Sequence, residues 1–180
     1  MHIYNDCEEA CYIHVDEERL TTFLVEQGLT QQQIDRLNIR FQWISEGNVG
    51  EFAPKQVSGI YNTKDTVHVY LHAVTMPSIA MFPREINNTL LHEIRHYMQQ
   101  CANPCYLETL RDEEKIPYRK RPMEKDARAF AKQYDKQQFV KVEYAAIHLL
   151  ALVPPIATCI GCMVAVALVE KSVDIALKKK

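Results

Sequence analysis

The sequence lacks any strong charge bias: 21 Lys and Arg stand against 23 Asp and Glu, a formal charge of −2. That balance excludes a chain built around a polyanion partner and equally a strongly acidic one. The N-terminal stretch has no basic patch followed by an apolar run, so no cleavable secretion signal is expected and the chain is expected to begin in the cytosol. Its 180 residues are enough for one domain with a real core and too few for two of ordinary size. A last lack is local, since positions 144 to 169 contain no Asp, Glu, Lys or Arg.

What is present is unevenly distributed. Acidic Asp6, Glu8, Glu9, Asp16, Glu17, Glu18 and Glu26 crowd the beginning against Arg19 alone, whereas 115 to 141 is rich in Lys and Arg. The basic stretch reads as a solvated helix face, with contact to nucleic acid or anionic lipid as the alternative; nucleic acid is not expected as a partner. The six cysteines fall in three close pairs, Cys7/Cys11, Cys101/Cys105 and Cys159/Cys162. In a reducing compartment they read as free thiols, with a disulfide or a structural four-sulfur zinc site as alternatives.

The chemistry concentrates in Leu91-His92-Glu93-Ile94-Arg95-His96, an H-E-x-x-H. On a helix, residues four apart share a face, so both imidazoles can converge on one metal ion while Glu93 stands at its edge, able to accept a proton from water. Pro83 suits a first helical turn, Glu85 complements the positive end of the dipole, and Ile86, Leu90, Ile94, Tyr97 and Met98 recur at helical steps up to Asn103-Pro104. The motif therefore sits on an expected helix of about 84 to 101 with one apolar side. The alternative is a surface helix that carries two histidines by accident.

A tetrahedral catalytic zinc needs a third protein ligand, usually from a later element. Pro122 can open a helix on which Glu124, Ala127 and Ala131 share a face, the alanines permitting close approach to the first helix. Asp126 points roughly 200° away, so helix phase favours Glu124.

Elsewhere, Asp16 and Gly28 bracket a short helix, and Thr30 to Gln33 has the form of a capping box opening a second. Residues 39 to 43 alternate like a strand, although a continued helix also fits. Residues 47 to 50 read as a turn. Segments 56 to 61 and 66 to 72 read as two strands joined across 62 to 65. The second sets Val67, Val69 and Leu71 on one face and His68, Tyr70 and His72 on the other. Such a strand beside the metal helix would offer its edge to an extended substrate, with the polar face as a cleft wall; a sheet face open to water is the alternative.

With these residues the chain resembles zinc metallopeptidases of the gluzincin kind, and within them the ImmA/IrrE-type group, whose second motif E-x-[DE]-A-x-x-F-A is matched by residues 124 to 131. Arg95 stands where that group has glycine, and Lys132-Gln133-Tyr134 replaces its leucine-rich continuation. The resemblance implies an α+β fold: a zincin-like metallopeptidase domain with a small antiparallel sheet beside the active-site helix. It implies a peptidase, expected to be an endopeptidase acting on a protein or peptide substrate, with Zn2+ held by His92, His96 and Glu124 and with Glu93 as general base. Tyr118, His72 and Tyr97 are the candidates to stabilise the oxyanion, Tyr118 being the first choice. A catalytically silent, zinc-stabilised interaction or regulatory domain is the alternative function.

The uncharged run 144 to 169 exceeds the ~20 residues that span a bilayer, so a C-terminal hydrophobic helix, from about 141, is expected to anchor a metal domain of residues 1 to 140 at the cytosolic face of a membrane. Pro154-Pro155 would kink it, and Ala157, Gly161 and Ala165 form a small-residue stripe suited to pairing two such helices in a homodimer. A buried C-terminal helix or hairpin of a soluble cytoplasmic protein is the alternative.

Overall fold

The structure, a computed structural model, describes residues 1–7, 11–43, 49–53, 65–71 and 82–144. The chain divides into two compact units, Met1–Glu143 and Tyr144–Lys180. Apart from the backbone of Tyr144, the second lies outside the described residues, and with it the expected anchor and Cys159/Cys162. Among the described residues, no helix is long and apolar enough to cross a membrane.

The first unit runs β1 (His2–Asp6), β2 (Cys11–Val15), α1 (Glu17–Glu26), α2 (Gln31–Arg36), β3 (Leu37–Trp43), β4 (Gly50–Ala53), β5 (Asp65–Leu71), α3 (Phe82–Ala102), α4 (Tyr106–Glu113), a 3-10 turn (Tyr118–Lys120), α5 (Pro122–Gln133) and β6 (Val140–Tyr144). Local chemistry sets many of these limits. Asp16 accepts from the Arg19 amide at the start of α1, and Gly28, at φ 95°, takes the left-handed conformation past its end. Thr30 and Gln33 close a reciprocal capping box on α2. The helix ends there and residues 37–43 go into a strand, so helical continuation is excluded.

Four strands form one sheet in the order β1-β3-β5-β4, and β2 pairs with β6 in a second. The expected antiparallel sheet is corrected for the four-stranded sheet: β1, β3 and β5 run parallel, and β4 is antiparallel to β5. Alternation along a strand reports which side chains share a face, not the direction of the next strand. The register sets Ile39 beside Val67 and Phe41 beside Val69, all buried. Gly50, expected in a turn, opens β4, and β5 lies inside the sheet, so among the described residues the edge expected of 66 to 72 belongs to β4. The 56–61 strand lies outside the described residues.

Helix α3 packs against β5 and β4 and also against α5. Ile86, Leu90, Leu91, Ile94, Tyr97 and Met98 are buried, so most of the apolar positions of α3 enter the core. Cys7, Cys11, Cys101 and Cys105 are all unbridged.

Candidate metal centre

Helices α3 and α5 run past each other with opposite polarity, Arg84 pairing with Asp135 at one end and Gln99 bonding the Met123 carbonyl at the other. Ala127 and Ala131 are buried on α5, which is what small residues at a helix contact allow. The start of α5 lacks a cap from its own first residues. Buried Glu113, at the end of α4, instead accepts the Met123 amide on both carboxylate oxygens at 3.1 and 3.2 Å. An acid at the positive end of the dipole thus secures the turn that carries Glu124.

Across this contact His92, His96 and Glu124 meet. The two imidazole Nε2 atoms are 3.2 Å apart. His92 Nε2 lies 3.3 Å from Glu124 Oε2, and His96 Nε2 lies 3.3 Å from Glu124 Oε1. Donors held about 2.0–2.1 Å from a tetrahedral zinc stand about 3.3 Å from one another; the imidazole pair has that spacing, each ring reaches a different oxygen of Glu124 at it, and one ligand atom from each residue lies within 4.8 Å of the others. Glu124 Oε2 is a buried oxygen without an aligned hydrogen bond, and Arg128 Nη1 lies 3.5 Å from it. Among the described residues this is the group of His, Cys, Asp or Glu side chains close enough to share a metal ion.

Electrostatics separates the members. Burial acts to raise the Glu124 pKa, but the polar neighbours His92, His96 and Tyr118 overcome it and hold the carboxyl well below its ordinary range. His96 is moved the other way: burial acts to lower its pKa, and its contacts with Glu124, Glu93 and Gln99 turn the balance upward. Glu93 stays outside the triangle. It is 7 % exposed, and burial pushes its carboxyl up to about 7, opposed by His92 and His96 and reinforced by Glu124 and Glu51.

The cluster opens on a cleft of about 910 Å³. One wall is β4, terminal in the sheet among the described residues, with Gly50, Glu51 and Phe52 facing the cleft. A side chain at Gly50 would displace its neighbours: a Cβ would stand 2.7 Å from Glu93 Oε1 and from Thr89 Cγ2. Tyr106, Leu110 and Tyr118 line another part, and Arg84, Arg128, Lys132 and Asp135 a third.

Of the other residues singled out in the sequence, Asp126 is turned away from the triangle and accepts from Arg95 Nε at 2.7 Å and from Gln99 Nε2 at 2.8 Å. Tyr118 lines the cleft and is 54 % exposed, its pKa pushed up to about 12 by burial of part of the ring and by the hydrogen-bonding Glu124 carboxylate. Tyr97 is a core residue instead: its hydroxyl donates to the Gln33 carbonyl at 2.7 Å and it does not line the cleft. His72 lies outside the described residues. His68 and Tyr70 stack on one another and bond to Gln42 and Glu51, forming a half-exposed sheet face that does not line this cleft.

Residues 54–142 match a family described as a protein of unknown function (DUF3920). The matched span is just under half of the chain and contains His92, Glu93, His96 and Glu124, leaving out Gly50 and Glu51 of the cleft wall. No curated protein and no solved structure matches the chain.

Sequence reasoning missed Gly50, Tyr106, Gln99 and Glu113. Gln99 alone carried a signal, one helical turn beyond His96 and on its face. The others reach the site from elements whose packing no local pattern encodes.

Proposed function

We propose that the chain is a zinc-dependent peptidase that hydrolyses peptide bonds of a protein substrate. The observation that supports it is the convergence of His92, His96 and Glu124, whose ligand atoms lie within 4.8 Å of one another, with a buried acid, Glu93, beside them. Zinc held there supplies a Lewis acid that polarises the scissile carbonyl and makes water acidic enough to attack near neutral pH.

The chain's own side chains do the rest. Glu93, buried at the edge of the ligand set, accepts the water proton on its carboxylate and returns it to the leaving amine. Gly50 lets the backbone of β4 approach closely enough to wall Glu93 off from bulk water. An extended substrate adds to β4 as a further strand, main chain to main chain, and slides its scissile bond over the triangle. Phe52, Tyr106 and Leu110 offer apolar surface to a substrate side chain. Tyr118 donates its hydroxyl to the oxygen that gains charge. In this reading segment 144–169 tethers the unit to the cytosolic face of a membrane.

The test is Glu93→Gln in the full chain, with bound zinc and cleavage of a quenched-fluorescence peptide library measured side by side. The expected result is unchanged zinc and fold with cleavage reduced about 10²–10⁴-fold, the range of general-base catalysis. Cleavage equal to wild type overturns Glu93 as the base. A zinc-loaded wild type that cleaves nothing leaves the zinc-stabilised interaction domain as the better account.

A further inference from the structure

We propose that Arg95, Asp126 and Gln99 form a polar relay that locks His96 in the one tautomer able to bind zinc, although none of the three is itself one of the metal ligands. The inference rests on the ligand set proposed above and concerns what holds one member of it in place.

Donors and acceptors fix the orientation of the ring. Gln99 Nε2 has two hydrogens, and both are used: one on the Met123 carbonyl at 3.0 Å, one on Asp126 Oδ2 at 2.8 Å. Neither partner can donate. Turning the amide over would aim its oxygen at two acceptors, so its orientation follows from the network. Gln99 Oε1 therefore faces His96 Nδ1, at 2.9 Å, as an acceptor. Nδ1 must carry the hydrogen, and in the neutral ring Nε2 must carry the lone pair. That lone pair points at His92 and Glu124. The other tautomer would leave two lone pairs opposed at Nδ1 and a hydrogen where the metal belongs.

Arg95 completes the relay. Its guanidinium approaches both oxygens of Asp126, at 2.7 and 3.3 Å, and stacks over the Phe130 ring at 5.2 Å. Asp126 is thereby fixed on α5, Gln99 is fixed by Asp126 and the Met123 carbonyl, and His96 by Gln99. Both helices of the metal site contribute to the chain, so it also ties the imidazole to the helix that delivers Glu124. These are positioning residues, and their effect appears in the ring and in the affinity for metal.

Two measurements decide it. In the metal-free full-length protein at alkaline pH, ¹⁵N NMR of His96 is expected to show hydrogen on Nδ1 alone; hydrogen on Nε2 overturns the relay without any variant being made. Zinc affinity, read by competition with a fluorescent chelator, is expected to fall about 10–100-fold in Gln99→Met, the usual cost of losing such a partner. Asp126→Ala is expected to fall less, because Gln99 keeps the Met123 carbonyl. In Gln99→Met the Nδ1-only signature should also give way to a mixture. Unchanged affinity in a folded Gln99→Met overturns the proposal, whereas a wild type that takes up no zinc, while showing hydrogen on Nδ1, removes the ligand set instead.

Discussion

Two histidine-bearing regions of this molecule make an instructive pair: His68 on β5 and His96 on α3. Both are partly withdrawn from water and both have an amide oxygen at 2.9 Å from Nδ1, Gln42 for one and Gln99 for the other. Their surroundings diverge beyond that bond. The His68 ring lies stacked beside Tyr70, and burial lowers its pKa, with Arg40 helping and Glu51 and Asp6 opposing. The Nε2 of His96 faces another imidazole and the partly buried Glu124 carboxylate, and its pKa moves upward despite burial. The lesson is that a histidine on a patterned element says little until its second nitrogen is accounted for. Where both nitrogens meet only acceptors or lone pairs, the site calls for a cation.

The largest effect that would sharpen this contrast is in zinc content. His96→Ala is expected to cost roughly two to three orders of magnitude in zinc affinity, the share of one ligand in a binding free energy of about 10–16 kcal/mol for a full set. Equal zinc in His96→Ala and wild type would erase the distinction between the two regions. A smaller effect is the order of titration. In metal-free protein the His96 ring is expected to titrate above the ordinary imidazole range and the His68 ring below it, as read by NMR. The linkage signs then oppose each other: the stability that His96 contributes is present below its unfolded pKa and lost as pH rises through its folded one, whereas that of His68 is present above and lost as pH falls. A reversed order would contradict the cause assigned to each shift. The smallest effect is that of His68→Phe, which should leave zinc binding unchanged and shift stability by about 1 kcal/mol or less, as expected of a half-exposed polar contact; loss of zinc there would tie the sheet face to the site.

How far the site could be read in advance follows from which contacts are helical. His92 and His96 share a face by spacing alone, and the choice of Glu124 over Asp126 as their neighbour needs only the turn per residue. The described structure has Glu124 at 3.3 Å from both imidazoles and Asp126 on Arg95 and Gln99. The caps of α1 and α2 are equally local. Strand direction was not legible, because alternation in Val67, Val69 and Leu71 is the same whether the neighbour runs parallel or antiparallel. Nor was the cleft wall: Gly50 meets Glu93 across 43 positions of sequence, and Glu113 caps α5 from another helix. Such long-range contacts are decided by packing and leave no periodic trace.

The most direct measurement is metal content of purified full-length protein, wild type beside Glu124→Ala. About one zinc per chain in the wild type, lost in the variant, is the expected result. A wild type without zinc, or a variant that keeps it, would contradict the claim that two imidazoles and a carboxylate from separate helices are built around a metal ion.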